Sequence, residues 1–127
     1  MDGDEAETLA GAQLITRSDS ADFAALLVEK GVARTVIVAR GADGSVLVDK
    51  ERRIFARAAK VKVKSTVGAG DSFVAGLVLS LARGETPEAA LAMGAAAASA
   101  AVTSDATQLC KREDVMRLLP ECVITLV

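Results

Sequence analysis

Apolar positions recur along the chain with two different periods, and these periods predict the order of helices and strands. Short β-branched runs bounded by glycine and polar residues predict strands, and residues 35–39 (TVIVA) are the clearest case. Longer stretches with a one-sided apolar pattern predict helices, which begin at capping residues and end at glycine. Strands and helices in mixed order predict an α/β chain with a three-layer α/β/α arrangement.

The predicted elements cover most of the chain. Helices are predicted at residues 4–9, from a cap at Ser18 or Ser20 to about residue 30, from residue 69 or 70 to about 83, from Thr86 and Pro87 to about 103, and at about 112–119. Strands are predicted at residues 14–16, 35–39, 45–49, 54–58, 60–64 and 123–126. Residues 41–44 are predicted to turn, and residues 50–52 to form a hairpin tip.

Composition limits the classes of function. The 127 residues form a single predicted domain, 1–127, and 51% hydrophobic residues with a net charge of −2 are typical of a folded protein. Three phenylalanines are the only aromatic residues and no basic stripe is present, so we expect no nucleic-acid partner. No apolar run reaches the roughly 18 residues of a membrane span, and the acidic start is unlike a secretory leader. We therefore expect no membrane partner and a cytoplasmic location.

The absence of one residue type and the spacing of another narrow the chemistry further. The sequence contains no histidine, which excludes histidine-based catalysis and histidine-ligated zinc. Cys110 and Cys122 lack the spacing of a metal site, and we interpret them as reduced thiols rather than as a disulfide or metal pair.

Residues 65–73 (STVGAGDSF) carry the strongest chemical signal. Small residues lie where a strand is predicted to end and a helix to begin, so a polyanion could approach the free N–H groups at the helix start. Asp71 falls in the first helical turn, where its carboxylate could take a proton from a hydroxyl. A tight strand-to-helix turn with an acidic residue would explain the same letters, so both interpretations stay open. The run is neither a Walker A loop nor GxGxxG.

A longer comparison favours the chemical interpretation. The run STVGAGDSFVAGLV, residues 65–78, resembles the C-terminal signature of the phosphofructokinase B family of ribokinase-like carbohydrate kinases. Residues 36–44 (VIVARGADG) resemble the strand and GxxG turn that hold ATP phosphates in that family. Residues 94–102, 107–110 and 113–115 resemble the tail of the branch that contains 6-phosphofructokinase, 1-phosphofructokinase and tagatose-6-phosphate kinase.

The resemblance implies a role for each matching residue. Asp71 would be the base that activates the acceptor hydroxyl, with ATP and Mg²⁺ as cofactors. The other implied residues are an anion hole of Gly68, Ala69 and Gly70, a phosphate-lining turn of Gly41, Ala42, Asp43 and Gly44, an adenine border of Ala95, Ala96 and Ser99, and a metal residue, Glu5. For the adenine border, packing in an alanine-rich helix is an equally good explanation. Surface acidity explains Glu5 equally well, and the terminus around it is expected to fray.

Four features depart from the family pattern. Family members are considerably longer, with an N-terminal half that carries the sugar site and a lid. Asp2 stands where the family's NxxE motif has asparagine, and Ala39 with Arg40 stands where a Ser or Thr precedes the GxxG turn. Arg40 would then either replace the lost hydroxyl electrostatically or extend into solvent. The loop before the final predicted helix has Ala106 where glycine is typical.

These observations leave three functional hypotheses. The first is ATP-dependent phosphoryl transfer to a sugar or sugar phosphate, with Asp71 as base. The second is a non-catalytic module that binds nucleotides or anions, and the third is a fold fragment with no ligand. Because the resemblance covers only part of a kinase, we expect self-association such as a homodimer, marginal stability, or a partner chain that completes the fold.

Overall fold

The computed structural model describes residues 1–105 and 110–127 and contains two compact units. The first unit comprises Met1–Phe55 with Thr125–Val127, and the second comprises Ala56–Ile124. Each unit is described by itself below. The single domain expected over residues 1–127 stays a prediction.

Helices and strands alternate in mixed order, as the α/β class predicts. The helices are α1 (Gly3–Ala10), α2 (Arg17–Glu29), α3 (Ala69–Ala82), α4 (Pro87–Val102) and α5 (Arg112–Leu118). The strands are β1 (Val36–Ala39), β2 (Gly44–Val48), β3 (Arg53–Arg57) and β4 (Ile124–Leu126), in the sheet order β1-β2-β3-β4. The first two strands are antiparallel, with Val36 opposite Val48 and Ala39 opposite Ser45.

The core of the first unit forms where α2 packs against β1 and β2. The helix buries Phe23, Leu27 and Val28, and the strands bury β-branched residues such as Val38 and Val46 against them. This pairing explains the local sequence, because valine suits a pleated surface and the longer side chains of the helix fill the space above it.

Both helices of the first unit begin with reciprocal side-chain caps. The Asp2 carboxylate accepts a hydrogen bond from Glu5 N, and the Glu5 carboxylate accepts one from Asp2 N, each at 2.9 Å. Thr16 and Asp19 form the same arrangement at the start of α2. The predicted caps at Ser18 or Ser20 are therefore wrong, because Thr16 offers its hydroxyl at the residue where the helix begins.

The chain start pairs with β1 and does not fray as expected. The Met1 amino group donates to Ile37 O at 2.9 Å, and Ala39 N donates to Met1 O at 2.9 Å. Asp2 forms a parallel bridge with Ala39. These bonds fix the position from which α1 begins.

In the second unit, α3 and α4 lie very close together. A Cβ atom at Gly76 would lie 2.8 Å from Met93 O, and one at Gly94 would lie 3.1 Å from the Phe73 ring. Only glycine permits this approach at Gly76 without moving a backbone. Helix α5 packs on α4, in which six of the nine buried residues are alanine.

Two predicted strands are wrong. Residues 14–16 form no strand and lead directly into the cap of α2. Residues 60–64 alternate strictly in sequence, yet Lys64 N and Ser65 N both donate to Val102 O at the end of α4. An alternating segment forms a strand only where the edge of a neighbouring strand accepts its backbone hydrogen bonds. Here the backbone instead donates hydrogen bonds to the end of a helix.

Within residues 1–105 and 110–127, no helix combines the length and apolar character that crossing a bilayer requires. Both cysteines are free, and burial raises the pKa of the Cys122 thiol.

Candidate functional site

The start of α3 differs from the start of its neighbours. Gly68 precedes the helix in the left-handed region, with φ 81°, and Ala69 N donates to Thr66 O at 3.3 Å. Of the residues that the structure describes, none caps α3 with its side chain. The amides of Gly70 and Asp71 therefore face outward without an acceptor from a capping side chain.

The space in front of this helix start is open. A Cβ atom placed on Gly70 or on Gly68 would meet nothing within 4 Å. A bulky anion could therefore come close to the backbone, where free N–H groups and the positive end of the helix dipole attract negative charge.

Asp71 lies in the first turn of α3 with its side chain exposed. Its carboxylate is thus accessible to a hydroxyl group that approaches the same helix end. The structure places Gly68, Ala69, Gly70 and Asp71 together, as contiguous residues around one helix start.

The second glycine turn belongs to the first unit and is tightly folded. Gly41 has φ 59° and Gly44 has φ 138°, which are conformations that side-chain-bearing residues rarely adopt. Arg40 N donates to Gly44 O at 2.8 Å and closes the turn at the end of β1. Both glycines are therefore required by the backbone whether or not a ligand binds.

Asp43, inside this turn, is held by two arginines. Arg17 Nε donates to its Oδ2 atom at 3.0 Å, and Arg40 Nε donates to the same atom at 3.3 Å. The Arg17 hydrogen bond is the main cause that holds the pKa of the Asp43 carboxyl below its usual value. Its negative charge is thereby compensated, which lowers the repulsion that it would exert on a phosphate.

Arg40 is not a solvated side chain, so that alternative is wrong. Its guanidinium donates to Leu14 O at 3.1 Å, to Ile15 O at 2.8 Å and to Ser20 Oγ at 2.6 Å, in addition to Asp43. The side chain is only 16% exposed. These contacts bind the GxxG turn to the loop before α2, and most donors of the guanidinium are already used.

Arg17 is a residue that the sequence analysis did not single out. Its guanidinium pairs with Asp43 and lies 3.8 Å from the centre of the Phe55 ring. Asp43 lies 26 positions further along the chain, and Phe55 lies further still, so no local pattern could have indicated this role.

Glu5 uses one carboxylate oxygen, Oε2, to cap α1. Throughout residues 1–105 and 110–127, no cluster of three or more acidic, cysteine or histidine side chains could hold a metal ion. Mg²⁺ needs few protein ligands when phosphate oxygens and water complete its shell, so a single exposed carboxylate is compatible with it. The metal role of Glu5 stays a prediction.

The adenine-border residues are buried in the second unit. Ala95 is 4%, Ala96 0% and Ser99 5% exposed, and Ser99 Oγ accepts a hydrogen bond from Ala59 N at 3.1 Å. Packing therefore explains all three residues, and their contact with adenine stays a prediction. Ala106, predicted to alter a nearby loop, lies outside the described residues.

Comparison with known proteins identifies the family. The family model for pfkB family carbohydrate kinases matches residues 2–114. The chain belongs to the pfkB family of carbohydrate kinases. The resemblance found at residues 65–78 and 36–44 is thereby confirmed at the level of the family.

Individual relatives of this pfkB chain are phosphofructokinases. It is 36% identical over 114 residues to the ATP-dependent 6-phosphofructokinase isozyme 2 of Escherichia coli, a match that covers 90% of this chain and 37% of that protein. The crystal structure of phosphofructokinase-2 from Escherichia coli in complex with potassium matches with a TM-score of 0.87 and 34% identity, over 94% of this chain and 39% of that one.

Ribokinase of Thermotoga maritima matches with a TM-score of 0.79 and 31% identity, over 94% of this chain and 40% of that one. The ribokinase-like fold class is therefore confirmed. The chain spans well under half the length of each of these relatives.

Proposed function

We propose that this chain is the nucleotide-binding, base-bearing part of an ATP-dependent kinase that phosphorylates a sugar or sugar phosphate. The observation that carries the proposal is the uncapped, open start of α3 with Asp71 exposed beside it. Relatives named as phosphofructokinases, one of them solved with substrates and products, support the class of acceptor.

The backbone at Gly68, Ala69 and Gly70 would act as the anion hole. A phosphoryl group in transfer spreads negative charge over its oxygens, and fixed N–H donors stabilise that charge without rearranging. Gly70 suits this task because its missing side chain leaves the approach open.

Asp71 would act as the general base. An exposed carboxylate in the first turn of the helix can accept the proton of the acceptor hydroxyl as that oxygen becomes the nucleophile. The same carboxylate would orient the hydroxyl through a hydrogen bond before the proton moves.

The remaining predicted residues would hold the cofactor. Mg·ATP supplies the phosphoryl group when it is bound. The proposed contacts are Gly41, Ala42, Asp43 and Gly44 to phosphates, Ala95, Ala96 and Ser99 to adenine, and Glu5 to Mg²⁺. The paired arginines that compensate Asp43 support a phosphate-binding turn, because an uncompensated carboxylate would repel the ligand.

Calorimetric titration of the chain with Mg·ATP tests the proposal. Gly70→Asp should abolish binding because it introduces bulk and negative charge into the anion hole, whereas Asp71→Ala should largely spare binding. Ala82→Asp is the matched control, since it places the same charge on an exposed residue at the other end of α3. If Gly70→Asp binds as well as Ala82→Asp, the anion hole is wrong.

A second candidate function is nucleotide or anion binding without catalysis. Most donors of Arg40 are already used within the protein, so Arg40 is poorly placed to replace the missing hydroxyl at Ala39, which favours this function. The two functions separate in an assay of phosphoryl transfer to fructose 6-phosphate. Binding without transfer, unaffected by Asp71→Asn, would favour the non-catalytic module.

A further inference from the structure

Arg17 is held at the GxxG turn by two kinds of contact. Its Nε atom donates to both carboxylate oxygens of Asp43, at 3.2 Å and 3.0 Å, and its Nη2 atom donates to Oδ1. The guanidinium also lies 3.8 Å from the centre of the Phe55 ring, and Phe55 is buried. A planar group that is paired along one edge and stacked on one face has little freedom to reorient.

The other edge of the Arg17 guanidinium is available to a ligand. Asp43 uses Nε and Nη2, whereas Nη1 donates to no acceptor within residues 1–105 and 110–127. The side chain is 43% exposed, so a substantial part of it meets solvent. Arg40 differs, because its side chain is 16% exposed and both of its Nη atoms donate to acceptors of the protein. Of the two arginines at the turn, Arg17 is therefore the one with an accessible cationic donor.

Backbone donors in and before the GxxG turn are already used within the protein. Arg40 N donates to Gly44 O at 2.8 Å, and Asp43 N donates to Arg40 O at 3.3 Å. Ala39, which precedes the turn, has no hydroxyl, and its own N–H donates to Met1 O at 2.9 Å. A phosphate at this turn would therefore gain from a side-chain donor, and a guanidinium matches the geometry of phosphate oxygens well.

We propose that Arg17 donates through Nη1 to a phosphate oxygen of the nucleotide at the GxxG turn, and so takes the place of the hydroxyl that Ala39 lacks. This inference rests on the proposed function, which assigns phosphate contacts to residues 41–44. Two arginines and one carboxylate meet at the turn, which leaves one positive charge in excess to attract the ligand. Asp43 holds the guanidinium in place, and Arg17 supplies the donor.

A double-mutant cycle separates direct binding by Arg17 from an effect through Asp43. The full 127-residue chain is titrated calorimetrically with Mg·ATP as the wild type, Arg17→Met, Asp43→Asn and the double variant. Arg17→Met should weaken binding about tenfold or more, because it removes the cationic donor and leaves the Asp43 carboxylate with less compensation. In the Asp43→Asn background, where no carboxylate needs compensation, Arg17→Met should still weaken binding about fivefold.

Arg53→Met is the matched control. Arg53 also pairs with a carboxylate of the first unit, Asp22, and its side chain is 38% exposed, close to the 43% of Arg17. The replacement removes the same charge from a similar pair outside the GxxG turn, so it should leave Mg·ATP binding unchanged. Circular dichroism and thermal melting must show all variants folded. Arg17→Lys, with a smaller expected loss, replaces Arg17→Met if the latter unfolds.

Two outcomes would overturn the inference and leave the proposed function standing. They are unchanged Mg·ATP binding in Arg17→Met, and a double variant that binds as tightly as Asp43→Asn, which would mean that Arg17 only compensates Asp43. If Gly70→Asp binds like the wild type while Arg17→Met still weakens binding in both backgrounds, the anion hole is wrong and the phosphate contact of Arg17 stands. A wild-type chain that binds no Mg·ATP would refute both proposals.

Discussion

The two glycine turns of this chain differ in whether the protein itself satisfies their polar groups. The turn at Gly41–Asp43 is closed by its own backbone, and the Asp43 carboxylate within it is occupied by two arginines. The turn at Gly68 leads into a helix that no described side chain caps, with open space above Gly70. A turn that satisfies its own polar groups is explained by folding. A turn that leaves exposed donors free is open to water, and a ligand with negative charge could use the same donors.

The largest expected effect is on stability, and it comes from a variant that breaks the closed turn. Arg40→Ala removes the donors to Leu14 O, Ile15 O and Ser20 Oγ, which bind the turn to the loop before α2. We expect a loss of about 2–3 kcal/mol in the free energy of unfolding, because charge-assisted bonds in a half-buried place are stronger than neutral surface bonds. Urea unfolding followed by circular dichroism measures it.

Two controls isolate the cause of the Arg40 effect. Arg40→Met keeps most of the apolar stem and should lose nearly as much stability, whereas Arg34→Ala, an exposed arginine of the same unit, should lose little. Wild-type stability in Arg40→Ala would mean that the turn closes without its arginine.

A smaller effect compares the two turns directly. Gly41→Ala and Gly68→Ala each place a side chain at positive φ, 59° and 81°, where the added Cβ meets nothing within 4 Å. Backbone strain should therefore act alone and cost about 1 kcal/mol in each variant. Thermal melting checks whether the two losses are equal.

Gly70→Ala is the contrasting variant for that pair. Gly70 lies inside the helix without positive φ, so alanine should stabilise the protein slightly by restricting the unfolded chain. A loss comparable to that of Gly68→Ala would show that the helix start is strained beyond its first glycine.

The smallest effect depends on pH. The folded pKa of Asp43 lies below its ordinary value of 3.8, chiefly because of the Arg17 hydrogen bond. Its contribution to stability is therefore fully present at neutral pH and is lost as the pH falls below 3.8 through the lowered value. Asp43→Asn should cost about 0.5 kcal/mol at neutral pH, and nothing in acid.

Urea unfolding over a pH series tests this, with Arg17→Met as the background control. In the Arg17→Met background, we compare the chain that keeps Asp43 with the chain that carries Asp43→Asn. The difference in their free energies of unfolding should depend less on pH than it does when Arg17 is present. A difference of unchanged size in that background would assign the pKa shift to another group.

Much of the fold could be predicted from sequence, because caps, glycine stops and β-branched runs act locally. Helices α3 and α4 begin and end close to their predicted bounds, with Thr86 as the cap of α4. The strand expected at residues 60–64 failed for a non-local reason. Its backbone partner is Val102 O, at a helix end far along the chain, which alternation of valine and lysine does not encode.

The candidate site shows the same limit. The letters around Asp71 indicated a helix start, and the structure places one there. The role of Arg40 depends on two carbonyl groups that lie 25 and 26 positions earlier in the chain. From the sequence alone, we expected its side chain either to contact a phosphate or to extend into solvent. Roles that arise from distant backbone atoms become visible only when the chain is folded.

The close contact of Gly76 with α4 has a consequence for association. Because Met93 O and the Phe73–Gly94 contact leave α3 almost no freedom to slide or turn, the direction of Asp71 and Val78 is set within the second unit. A ligand that binds beside Asp71 would meet a helix start that is already oriented. The entropy lost on association would then be smaller than for a helix that must first be aligned.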